Sequence, residues 1–113
     1  MARKNILTAN PPYPVEQAVG RLGANLRTAR LRRNLTVDAV ATKIGTGRRA
    51  VLQAEKGKPS TSAAVYAALL WTYDLLGPMS ALADPAADTE GLALSSQRER
   101  ARTSESQELD SDF

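Results

Sequence analysis

Between Val15 and Leu76 apolar side chains return at every third or fourth position, broken by short polar turns, which is the period of amphipathic helices. Val19, Leu22, Leu26 and Ala29 form one stripe, while Arg21, Arg27, Arg30, Arg32 and Arg33 lie mostly off it. The pattern predicts a helix from Val15 that stops near Asn34, a residue tolerant of the left-handed turn at a helix C-terminus. Thr36 then caps a second, short helix with Val37, Val40, Ala41 and Ile44 on its inner face, and Gly45 ends it. A tight turn leads to a third helix over about residues 47–56, with Val51 and Ala54 inward and Gly57 as its stop. After "KPS", Ser60 or Thr61 caps a fourth helix, apolar nearly all round, which Gly77–Pro78 breaks. "MSALA" supplies one more short piece.

The two ends read differently. Pro11, Pro12 and Pro14 lack the amide hydrogen that a helix interior or sheet ladder needs, so residues 1–14 are predicted to be an extended, flexible arm. Beyond Ala83 the chain turns polar and acidic, with Leu92, Leu94, Leu109 and Phe113 as its anchors. Such a segment buries too little apolar surface to offset its ordering entropy, and residues 84–113 are predicted to be disordered in isolation. The expected organisation is an arm over 1–14, a helical domain over 15–83 and a tail over 84–113, with no internal repeats.

Composition narrows the chemistry. Hydrophobic residues make up 42% of the chain and aromatics 4%, so the core is expected to be Ala, Val and Leu. With 0 Cys and 0 His there is no disulfide framework, thiolate metal site or imidazole base. No nucleophile–base set, phosphate-cradling glycine loop or metal-binding cluster stands out, so neither enzyme activity, nor a cofactor, nor a metal is expected. No run reaches the roughly 20 apolar residues of a membrane span, and "MARKNILTANPPYP" has no signal-peptide core, so the expected location is cytoplasmic.

Charge is divided along the chain. Residues 1–58 carry 12 Lys and Arg against Glu16, Asp38 and Glu55, a balance of +9. Residues 59–113 carry three Arg against nine acids, a balance of −6. A basic front half suits an anionic polymer.

The second and third helices with their glycine turn have the layout of a helix-turn-helix. "NLTVDAVATKIGTGRRAVLQAEKGKPS" resembles the Xre/Cro-type helix-turn-helix family through Leu35, Thr36, Val40, Ala41, Ile44, Gly45, Val51, Glu55, Gly57 and Lys58. The resemblance covers about residues 19–76 and implies an all-α, five-helix, lambda-repressor-like domain that binds double-stranded DNA at palindromic half-sites. It assigns base contacts to Arg48 and Arg49, with Leu52 and Gln53 one turn on. An arginine at a helix N-terminus opposes the helix dipole, and two hydrogen bonds to a guanine edge would reverse that cost in a complex. Contact with phosphate alone is the alternative for both arginines.

The resemblance also implies an ion pair between Arg30 and Glu55, tying recognition helix to scaffold; the alternative is a solvent-facing Glu55. Two departures are visible. Val37 stands where the family often has Gln, and Gly47 stands where Ser or Thr usually caps the third helix, leaving Thr46 as a substitute cap. Phosphate contact then falls to Thr36, Lys43, Thr46, Gly47, Lys56, Lys58 and the first-helix arginines. The fourth helix has more apolar side chains than one domain face can hide, so Val65, Leu69, Trp71, Tyr73 and Leu76 are expected at a homodimer interface. The proline-rich arm, apolar fourth helix and acidic tail are similar to HipB-type antitoxins, which implies a repressor that also neutralises a HipA-like kinase toxin. A stand-alone Xre-type regulator, or an interaction protein that no longer reads DNA, are the competing readings.

Overall fold

The computed structural model describes residues 5–111, with side chains through residue 106. Among the described residues all regular structure is helical: α1 (Ile6–Ala9), α2 (Tyr13–Arg32), α3 (Val37–Ile44), α4 (Arg48–Glu55), α5 (Ala63–Thr72), a 3-10 turn (Gly77–Ala81) and α6 (Thr89–Ser111). The four helices expected within residues 15–76 correspond to α2–α5. One compact unit ends at Gly77 and a second begins at Pro78.

Helices α2–α5 all stop by the same device. Asn34, Gly45, Gly57 and Asp74 have φ of 53°, 76°, 65° and 59°. In each case the next residue's N–H donates to the carbonyl five positions back, Leu35 to Arg30, Thr46 to Ala41, Lys58 to Gln53 and Leu75 to Leu70, at 2.8–3.2 Å. The resulting reversals are tight enough to stack helices of only eight to ten residues around one core. That core is Leu26, Ala29, Val40, Ala41, Val51, Ala54, Tyr66, Leu69 and Tyr73. It includes two tyrosines beside the expected aliphatics.

Close approach of α2 to the end of α4 depends on missing side chains. A Cβ on Gly23 would lie 2.5–2.8 Å from the Ala54 and Glu55 carbonyl oxygens and the Gly57 nitrogen. A Cβ on Gly57 would lie 2.5 Å from the Gly20 Cα. Backbone therefore meets backbone at this crossing, and α4 is seated against α2 without a side chain between them.

Four local expectations are corrected. Residues within 1–14 include a helical turn, α1, whose N-terminus is capped by the Asn5 side chain accepting from Leu7 N–H at 3.0 Å. Helix α2 starts at Tyr13, because Pro14 falls in its first turn, where no amide hydrogen is required. Helix α5 ends before the Gly77–Pro78 pair, at the left-handed Asp74. In the tail, α6 occupies Thr89–Ser111 rather than irregular chain: Asp88 accepts from Gly91 N–H at 3.0 Å, and the Ala, Leu, Gln, Arg and Glu that follow are good helix formers. The described side chains of α6 are exposed. Phe113 and the Leu109 side chain lie outside the described residues.

Tyr73 is 1% exposed, and among the described residues its hydroxyl has no hydrogen-bond partner. Burial pushes the phenol above its ordinary pKa, with the Glu55 carboxylate adding to the rise. Tyr73→Phe is therefore expected to hold or raise stability, by up to about 1 kcal/mol, since it removes an unsatisfied polar atom and keeps the ring. A phenol whose pKa is higher when folded contributes stability below its unfolded pKa and loses it as pH rises past that value. The variant should accordingly lose less stability than the parent between neutral and alkaline pH in urea titrations.

Candidate nucleic-acid interface

Helix α3 is opened by Thr36, whose hydroxyl accepts from Ala39 N–H at 3.0 Å, and is closed at the left-handed Gly45. Two residues later α4 begins on Gly47, which offers no side-chain cap. Thr46 does not replace it: the cap position is Gly47, and the Thr46 N–H donates back to Ala41. The first two residues of α4 are Arg48 and Arg49, both exposed. Leu52 and Gln53 follow one turn on and are half-buried. The helix thus presents a cationic first turn to solvent while Val51 and Ala54 hold its other face in the core.

Arg48 does not stand alone against the helix dipole. Its Nη1 lies 3.6 Å from Oδ2 of Asp38, in the first turn of α3. A carboxylate is favoured at that end of α3, and it offsets the cation at the same end of α4. Both side chains are well exposed, so the pair contributes little to folding.

At the other end of α4 the anchoring is strong. Arg30 Nε donates to Glu55 Oε2 at 2.7 Å and Nη2 donates to Oε1 at 3.0 Å, while Nη1 donates to the Leu35 carbonyl at 3.0 Å. The side chains are only 10% and 5% exposed. Hydrogen bonding to Glu55 raises the Arg30 pKa, against the opposing effect of burial. One guanidinium thereby joins α2, the loop into α3 and the last turn of α4, so the orientation of α4 is set by a fork with fixed geometry.

The other cations divide by role. Lys43 reaches over the Trp71 ring, 5.6 Å from its centroid, and Lys56 and Lys58 are exposed beyond the C-terminus of α4, about 12 Å along the axis from Arg48. Not every first-helix arginine is free for phosphate. Arg33 donates to the Ala29 carbonyl at 2.9 Å and the Tyr73 carbonyl at 3.0 Å, and stacks 5.4 Å from the Tyr73 ring centroid. It fastens α2 to the end of α5. Sequence reasoning missed this role because nothing in the spacing separates Arg33 from Arg32.

The expected dimer surface is also corrected. Leu69 and Tyr73 are 0% and 1% exposed and belong to the chain's own core, because they share one helical face with Tyr66. Val65 and Leu76 are half-buried, and Trp71 is 58% exposed.

A family model described as a helix-turn-helix domain matches residues 21–82, more than half of the chain. The chain belongs to the helix-turn-helix domain family. Comparisons with curated proteins and with solved structures gave no match. Membership supports a DNA-binding regulator, and α3, the Gly45 turn and α4 lie within the matched residues. Among the described residues no helix is long and apolar enough to cross a membrane.

Proposed function

We propose that this helix-turn-helix protein is a sequence-specific transcriptional repressor that acts as a homodimer, with Arg48 and Arg49 as its leading base readers. The observation that carries the reading is the exposed Arg48–Arg49 turn on a helix whose far end is locked by the buried Arg30–Glu55 fork. A groove reader needs exposed cations on a helix that is held in place. Leu52 and Gln53 would extend the base contacts, and Thr36, Lys43, Thr46, Gly47, Lys56 and Lys58 would meet phosphate.

Trp71, Leu75 and Leu31 are exposed at 58%, 45% and 46%, and together with Val65 and Leu76 they supply apolar surface for a second copy. A dimer would place two recognition helices on half-sites about one DNA turn apart. Sedimentation at tens of micromolar, roughly the range of a weak dimer, should give twice the chain mass, and the sequence enriched from a random duplex pool should be palindromic. A monomer and a non-palindromic winner would refute the symmetric reading.

The finer assignment is a HipB-like antitoxin in the cytoplasm that represses its own operon and holds a HipA-like kinase toxin inactive. Its support is the resemblance of the flanks. The described side chains of α6 are exposed and mostly polar, with Leu92 and Leu94 as the large apolar ones, which favours the second reading, a stand-alone Xre-type regulator. Co-purification with the product of a neighbouring kinase-like gene separates the two.

A further inference from the structure

Three acids interrupt the basic front half, and one of them lies beside the arginine turn of α4. Glu55 is buried on Arg30, and Glu16 lies in the first turn of α2. The third, Asp38, is exposed and faces the first residue of the recognition helix. The α3 dipole favours an acid at that position, but it also brings negative charge to the surface that would meet phosphates.

We propose that Asp38 is a specificity-determining residue that holds Arg48 for guanine and against phosphate. This rests on the DNA-binding reading of α4. The guanidinium has five N–H donors in a rigid fork. Asp38 Oδ2 lies 3.6 Å from Nη1, an ion-pair distance, and among the described residues no hydrogen bond occupies the Nε–Nη2 edge. That edge suffices for the two hydrogen bonds to guanine O6 and N7. Arg48 can therefore make its base contact with Asp38 still beside it, and the carboxylate reduces the rotamer freedom that a long side chain otherwise loses on binding. A phosphate contact is different. A guanidinium that swings out to the strand gives up Asp38, and the released carboxylate then sits near the same negative backbone. Asp38 thus favours the base-bound state and disfavours the generic one, which is how discrimination arises from a repulsive element beside an attractive one.

The test uses the full chain, a random-sequence duplex, and the duplex that wild-type protein enriches from a random pool. Enrichment of a defined sequence comes first, because its failure would overturn the DNA-binding reading and this inference together. Asp38→Asn should then bind the random duplex about five-fold more tightly and the enriched duplex a few-fold more weakly, so the ratio falls about ten-fold. The salt slope on random DNA should steepen by about one, as Arg48 becomes free to neutralise a phosphate. In an Arg48→Ala background the same substitution should leave the ratio unchanged. An unchanged ratio in the single variant would overturn the inference. So would an equal gain on both duplexes, or a ratio change that persists without Arg48, since either makes Asp38 a simple repeller of phosphate. Matching thermal midpoints for parent and variant exclude a folding effect.

Discussion

Glu55→Ala is expected to destabilise the helix-turn-helix unit by about 3–5 kcal/mol, a large share of the 5–15 kcal/mol that holds a typical domain together. Its carboxylate accepts two hydrogen bonds from Arg30, at 2.7 and 3.0 Å, with both side chains almost out of water. Alanine leaves the guanidinium buried with its remaining bond to the Leu35 carbonyl and no counter-charge. The loss is a penalty for stranding a charge more than the net worth of the pair. Arg30→Met combined with Glu55→Leu should therefore recover most of the deficit, because neither charge then has to be desolvated. Urea unfolding of the single and double variants decides the matter. A single-variant loss below about 1 kcal/mol would mean that water reaches the fork, as at an exposed pair.

Gly23→Ala and Gly20→Ala are expected to move stability in opposite directions although they stand one helical turn apart. Alanine exceeds glycine in helix propensity by about 1 kcal/mol, so propensity alone makes both changes favourable. At Gly20 an added Cβ meets nothing within 4 Å, and stabilisation should follow. At Gly23 the same atom would lie 2.5–2.8 Å from three backbone atoms of α4 and its end. Backbone cannot rotate aside as a side chain does, so α4 must shift bodily, at a net cost of about 3 kcal/mol. For a domain of this size that is a fall of roughly 12–24 °C in melting temperature, against a rise of a few degrees for Gly20→Ala. Equal shifts of one sign would show that the α2–α4 crossing is looser than described.

The contrast between these glycines marks the limit of what the sequence disclosed. Helix ends at Asn34, Gly45 and Gly57 were legible, because residues that tolerate positive φ sit just past apolar stripes. Asp74 was not: Gly77–Pro78 is the stronger stop signal, yet the chain reverses three residues before it. Gly20 and Gly23 look alike as letters; only the crossing partner distinguishes them. Helix α6 was missed because apolar content measures tertiary anchoring, whereas its caps and side chains act locally. Within α5 a period of 3.6 does separate inward Tyr66, Leu69 and Tyr73 from outward Trp71, and a stricter count of faces would have kept Leu69 and Tyr73 out of the dimer surface.

Around the site, Arg30 and Glu55 could be paired on family spacing, 25 residues apart. Asp38 opposite Arg48 could not, because that contact depends on how the Gly45 turn brings two helix N-termini together. The same turn offsets the dipole cost at Arg48, whose acid is supplied from the neighbouring helix.

The proposed function stands or falls on base reading by the first turn of α4. It is tested most directly by competition between the enriched duplex and a random duplex for wild type, Arg49→Ala and Lys58→Ala. Arg49→Ala should lower the preference for the enriched duplex by about ten-fold or more, the worth of a bidentate guanine contact. Lys58→Ala should weaken both duplexes alike and reduce the salt slope by about one. A uniform loss of affinity in Arg49→Ala, with the preference intact, would make the arginine turn a phosphate clamp and not a base reader.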